Sequence, residues 1–211
     1  MSSAPADELA RGGRLPRSAR RKQLLAAAQQ VFVANGYHAA AMDDIAERAG
    51  VSKPVLYQHF PGKLELYLAL LDTQAEALSE AVSNALASTT DNRERVHGVL
   101  SAYFGFVDRD DDGAFRLIFE TDLGNEPAVR ERVEAVTDKT MRAVADTVAS
   151  DTGLDRDQAE LLSTALTGAA QVAARWWLAS EKPMSRADAI RLLESLLWRG
   201  ISNFPLYNES H

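Results

Sequence analysis

Apolar residues recur along most of this chain at intervals of three and four, the spacing that lays a single stripe along a helix. Leu24, Ala28, Val31 and Phe32, with Asn35 in register, predict a first helix over about 17–35, ended by Gly36. Ile45, Ala46 and Ala49 predict a short second one, with Asp43, Asp44 and Glu47 toward its positive N-terminal end. Gly50 stops that helix and Val51 offers an apolar plug. Ser52 is the expected N-cap of a third helix, which carries Pro54 in its first turn. From Lys63 onward the period runs long. Leu64, Leu66, Tyr67, Leu70, Leu71, Leu78 and Val82 give one extended helix, and Val96, Leu100, Tyr103, Phe104 and Val107 another. A short helix around Phe115 to Leu123, a longer one from Pro127 through Val148, and two last ones over about 155–180 and 185–203 complete the count. The chain reads as all-α, with about nine helices.

The stretch from Ala41 to Tyr67 organises the rest. Two short helices joined by so brief a glycine turn match the helix-turn-helix, whose second helix fits the major groove of DNA. On that second helix Val55, Leu56 and Phe60 can pack inward, while Lys53, Tyr57, Gln58 and His59 supply polar groups for an outer surface. The run AGVSKPVLYQHFPGK, preceded by Ile45 and Ala46, resembles the DNA-binding motif of the TetR family of bacterial transcriptional regulators. Ala49 to Ser52, Leu56-Tyr57, His59-Phe60 and Lys63 stand where that family's pattern places such residues. One departure is plain. Ala40 and Ala41 replace the threonine that usually caps the second helix and touches phosphate, so Asp43 is left as the candidate cap.

Residues 1–16, rich in Ser, Ala, Gly, Pro and Arg and without apolar period, read as a disordered basic arm, and the resemblance implies a three-helix DNA-binding domain over 17–63 and a helical regulatory and dimerisation domain over 64–211. It implies a sequence-specific regulator, most simply a repressor, that binds a palindromic double-stranded operator as a homodimer and is released by a small-molecule effector. Tyr57 and Lys63 are expected to hold phosphates. Lys53 suits guanine O6 or N7, Gln58 suits adenine, His59 also faces the groove, and Pro54 and Val55 suit thymine methyls. Arg11, Arg14 and Arg17 are placed to reach a neighbouring minor groove or simply to solubilise the arm.

Charge sharpens this picture. The net charge of −7 alone argues against a nucleic-acid partner. Its distribution reverses that, because residues 1–63 hold nine Lys/Arg against five acids and residues 64–211 hold fourteen against twenty-five. A basic head on an acidic body concentrates attraction for phosphate at one end. Absence of cysteine excludes disulfides and thiolate chemistry. The N-terminus lacks the apolar core of a secretory signal and no apolar run is long enough to span a bilayer, so a cytoplasmic protein with no membrane partner is expected.

In the body, the helix over 155–180 carries Leu162, Leu166, Ala169, Ala173 and Trp176 with Gly168 among them, small residues that let another helix approach. The last helix carries Ile190, Leu193, Leu197 and Ile201. These two are the expected dimer interface, as a four-helix pairing on a two-fold axis. Tyr67, Tyr103, Phe104, Phe115, Phe119 and Trp177 are candidate walls of a ligand pocket, with plain core as the alternative for each.

Other chemistries fit poorly. Asp108 to Gly113 spaces acids and glycine as a calcium loop does, but its twelfth position falls on Phe119 where a bidentate glutamate belongs. Glu94-x-x-His97 is a single copy of a motif that di-iron bundles use twice. No metal, cofactor or catalytic group is expected. A helical small-molecule-binding or enzymatic protein with an incidental helix-turn-helix, a protein-recruiting module and a nonspecific DNA-binding protein are the rival readings, separable from the first by salt dependence and by a preferred palindrome.

Overall fold

A computed structural model describes residues 15–108, 123 and 126–200, and these are helical with no strand among them. In order they are α1 (Arg17–Ala39), α2 (Met42–Arg48), α3 (Lys53–His59), α4 (Lys63–Ala87), α5 (Asn92–Val107), α6 (Pro127–Thr152), α7 (Arg156–Ala179) and α8 (Arg186–Arg199). Arg11, Arg14, Phe115, Phe119, Ile201, the short helix expected over 115–123 and most of the acidic loop lie outside the described residues.

The helices begin and end where local chemistry allows. Gly36 sits inside α1 at φ 73°, so the regular helix breaks there, as the period predicts, and one further turn follows. Gly50, at φ 64°, closes α2: its N–H donates to the Glu47 carbonyl, and Val51 N–H donates to Ala46 O at 3.0 Å, the paired bonds of a left-handed helix stop. Downstream, Asp91 accepts from the backbone N–H groups of Arg93 and Glu94, Asp155 forms a reciprocal capping box with Gln158, and Ser185 accepts from Asp188 N–H.

Helix α4 joins the two halves. Its buried positions Leu66, Leu70, Gln74, Leu78, Val82 and Leu86 fall at every fourth residue. Each such step overshoots a full turn by about 40°, so over this length the stripe winds about 200° around the helix. The same element therefore presents its first turns to α1 and its later turns to α5 and α6. At the seam the Gln74 amide donates to Gln29 Oε1 at 2.9 Å, in a buried setting. Phe32, Tyr37 and Tyr67 close the seam on one side, with Tyr67 edge-on to both other rings at 5.2 Å. In the body α5 packs on α4, α7 and α8, and α6 packs on α4 and α7.

Candidate nucleic-acid interface

Helix α3 is anchored by little more than Leu56, which is fully buried, and by Phe60 just past its end. The other side chains on it turn outward. Lys53, Pro54, Tyr57 and Gln58 are exposed, and Val55 and His59 are half-buried. Lys53 pairs with Asp43 at 2.5 Å, with both side chains more than half exposed. Such a pair contributes at most about 1 kcal/mol, so a phosphate or a base edge can displace the carboxylate. Two expected caps are absent in this geometry. Ser52 occupies the N-cap position of α3 without a side-chain hydrogen bond, and α2 starts at Ala41 with none either, because Asp43 turns toward Lys53.

The start of α1 lies beside the end of α3. The Arg21 guanidinium sits 4.5 Å from the centre of the Phe60 ring, and Arg20 donates to Gln23 Oε1 at 2.7 Å. Gln23 in turn donates to Ala49 O at 2.7 Å and holds the end of α2. His59 feels this neighbourhood. Burial first, then the charges of Arg17, Arg21 and Arg20, holds its imidazole below the usual value. Arg20 and Arg21 thus extend the basic surface next to the recognition helix, a role the sequence motif does not assign to them. The signal lies in the basic run Arg-Ser-Ala-Arg-Arg-Lys at 17–22, whose spacing puts Arg17, Arg20 and Arg21 on one face.

Lys63 opens α4 and packs against the corner between α1 and α2. Its ammonium donates to the carbonyls of Tyr37 at 2.8 Å, Ala40 at 2.9 Å and His38 at 3.2 Å, and lies 4.5 Å from the centre of the Tyr37 ring. Each of these carbonyls accepts from the ammonium within hydrogen-bond distance.

Among the described residues, the expected pocket aromatics Tyr67, Tyr103, Phe104 and Trp177 are buried in the core. Tyr67 belongs to the seam with α1. Phe104 and Trp177 pack together at 5.6 Å, and Trp177 Nε1 donates to Met184 O at 2.9 Å. Burial pushes the Tyr103 phenol up to about 12, offset in part by a side-chain hydrogen bond with Thr140. The body does contain a cavity, of about 380 Å³, but none of those rings lines it. Its walls are aliphatic: Val96, Val99 and Leu100 of α5, Val144 and Val148 of α6, Leu162 and Leu166 of α7. Asn92, Arg95, Thr147, Asp151 and Thr152 supply polar groups where α5 begins and α6 ends, with Arg95 paired to Asp151. Leu162 and Trp198, 43% and 47% exposed, also line it and so connect it with the surface.

The expected dimer residues divide. Leu162 and Trp176 are exposed, whereas Leu166, Ala173, Leu193 and Leu197 are partly buried against their own core, and Ala169 is half-buried. Ile190, at 5% exposure, belongs to the buried core of its own chain. In its place Leu161, Val172, Leu192 and Leu196 join Trp176 as large apolar groups left on the surface. His97, of the single Glu-x-x-His, meets Glu194 at 3.0 Å, and with Arg93 it links α5 to α8.

A glycine-turned pair of short helices with a polar outer face, set on a helical body, is the architecture of a helix-turn-helix DNA-binding protein. The chain belongs to the TetR family of bacterial regulatory proteins: residues 24–70 match that family's N-terminal region, and residues 92–200 match the tetracyclin repressor-like C-terminal domain. It is 46% identical over 202 residues to the HTH-type transcriptional activator FasR of Mycolicibacterium smegmatis, covering 96% of this chain and 92% of that protein. A TetR-like transcriptional regulator from Rhodococcus sp. RHA1 is 31% identical, with a TM-score of 0.72 over 90% of this chain and all of that one. The fold is also that of FadR from Bacillus subtilis, solved in complex with stearoyl-CoA, at 19% identity and a TM-score of 0.73 over 85% of this chain and 98% of that one. The protein is a helix-turn-helix transcriptional regulator.

Proposed function

We propose that this regulator works in the cytoplasm as a homodimer on an inverted repeat, and that its effector is an amphiphile with a long aliphatic chain. The observation that carries the effector reading is the cavity, aliphatic along α5, α6 and α7 and polar where α5 begins and α6 ends. Such a lining favours a flexible hydrocarbon over a flat aromatic ligand. FadR of Bacillus subtilis holds stearoyl-CoA on the same fold, and a long-chain acyl thioester is the compound class to try first. Activation replaces the repressor expectation in this reading, since the Mycolicibacterium relative is an activator. The two halves divide at the start of α4, where Lys63 opens the helix they share.

The two exposed apolar strips on α7 and α8 support the dimer. Two recognition helices at a fixed spacing then read two half-sites, and a ligand acts by preferring one dimer shape. Lys53, Tyr57 and Gln58, with Arg17, Arg20 and Arg21 beside them, form the contact surface.

The test is selection of bound duplexes from a random pool, followed by titration of the recovered duplex with stearoyl-CoA and acetyl-CoA. The expected result is an inverted repeat whose affinity shifts roughly five-fold or more with the long chain and not with the short one. Lys53→Ala and Tyr57→Ala should each weaken binding, and Val148→Phe should remove the response to stearoyl-CoA while leaving duplex binding intact. An inverted repeat with no response to acyl chains of any length would leave the regulator and sink the effector reading.

A further inference from the structure

We propose that Asp43 is a specificity-determining residue for duplex recognition: together with Lys53 it reads one G·C base pair in each half-site. This rests on the contact surface assigned above to α3. Asp43 stands on α2 and Lys53 on α3, and the Gly50 turn between the two helices brings them together. Lys53 Nζ lies 2.5 Å from Asp43 Oδ2, with the two side chains 59% and 58% exposed. The carboxylate does not cap its own helix. Helix α2 begins at Ala41 with no side-chain bond, and Asp43 is turned to the lysine instead.

An exposed acid beside a recognition helix is unfavourable wherever it meets phosphate. In the major groove it gains a partner only where a base presents a donor, at cytosine N4 or adenine N6. The lysine beside it decides between the two. Across a G·C pair the groove presents N7 and O6 as neighbouring acceptors and then the N4 donor, whereas across an A·T pair the N6 donor separates the acceptors N7 and O4. An ammonium has three protons, and with one directed at Asp43 two remain for N7 and O6. Guanine O6 and cytosine N4 are hydrogen-bonded to each other within the pair, at about 2.9 Å. A cation and a carboxylate already side by side match them in both sign and spacing. On phosphate the same couple fits poorly, because Asp43 opposes the charge that Lys53 offers. Asp43 thus discriminates twice, by accepting from cytosine on the right sequence and by loosening the hold on every wrong one.

The test is selection from a random duplex pool by the wild-type chain and by Asp43→Ala, Lys53→Ala and Asp44→Ala, with thermal melting to confirm the fold of each. Asp44 is the neighbouring exposed acid and serves as the charge-matched control. The wild type should recover an inverted repeat with a fixed G·C pair in each half-site. Asp43→Ala and Lys53→Ala should lose the preference at that same pair, and Asp44→Ala should keep it. Exchanging that pair for A·T should weaken the wild type about tenfold or more, and Asp43→Ala less than about threefold. On a random-sequence duplex Asp43→Ala should bind more tightly than the wild type, with a steeper fall of log K against log salt, since Lys53 is released to phosphate. An unchanged motif in Asp43→Ala, relaxation at different pairs in the two variants, or a loss shared equally by selected and random duplexes would overturn the proposal and leave the dimeric regulator standing. Failure of the wild type to select any repeat would overturn both.

Discussion

The DNA-binding head and the regulatory body use their apolar side chains differently. In the head, Leu24, Ala28, Phe32, Ile45, Ala46, Leu56 and Phe60 are all buried, and the face beside them is polar and cationic. In the body, apolar surface is left over twice, once around the cavity and once outside. Helix α7 shows it most clearly: its inward face is built of Ala159, Ser163, Thr167, Ala170 and Ala174 with Trp177 at the end, while Leu161, Val172 and Trp176 stand outside, Leu161 at 71% exposure. Small residues face inward along α7, and the large ones are left exposed. The head is a finished unit whose partner is a polyanion. The body leaves apolar side chains both around a cavity and on its surface.

The sharpest way to break this comparison is inside the head, where nothing is spare. Leu56→Ala removes the one fully buried side chain of α3 and should cost about 2–5 kcal/mol, read by denaturant titration, with loss of duplex binding. A cost under about 1 kcal/mol would mean that the head is not closely packed. Next in size is Trp176→Asp. It should leave the stability of the monomer fold within about 0.5 kcal/mol and shift sedimentation from dimer to monomer, as expected when an interface anchor worth roughly 2 kcal/mol or more is removed. A variant that sediments as the wild-type dimer would take α7 out of the interface.

Smaller effects sharpen the picture of the head. Ala41→Ser restores a hydroxyl to an N-cap that has extended geometry and no side-chain bond, and thermal melting should report a gain of roughly 0.5–1 kcal/mol. The smallest concerns pH. Because the folded imidazole of His59 titrates below its usual value, the unfolded chain takes up the proton first as pH falls through about 6.5. Its contribution to stability is present above that pH and fades below it, and His59→Gln should flatten the corresponding part of a stability-versus-pH curve. A duplex should work the other way, since nearby phosphates favour the charged ring.

Helix order and the helix-turn-helix are legible in the sequence because both rest on local rules: the 3.6-residue period, glycine at positive φ after α2, proline in the first turn of α3. Failures lie where a second element decides. Periodicity shows that Ile190 is on an apolar face but not whether that face meets α5 of its own chain or another copy. Aromatic richness around Tyr103, Phe104 and Trp177 points to a pocket, yet large rings fill space, and the cavity forms where smaller aliphatic groups leave room. The place of Lys63 in the motif points to phosphate, but nothing local to it shows that it also bonds carbonyls of residues more than twenty positions earlier. Ser52 has the right residue type and the right backbone for a cap, and still makes no bond.

The amide pair between Gln29 and Gln74 has an evolutionary consequence. Its two members sit on different helices, forty-five residues apart in sequence, and meet where the surrounding seam is apolar. Exchange of either glutamine for leucine takes a partner from a buried amide, whereas exchange of both removes the two amides of this bond together. Descendants of this chain should therefore cross between the two solutions by paired substitution, and a library randomised at both positions should return matched pairs far more often than mixed ones.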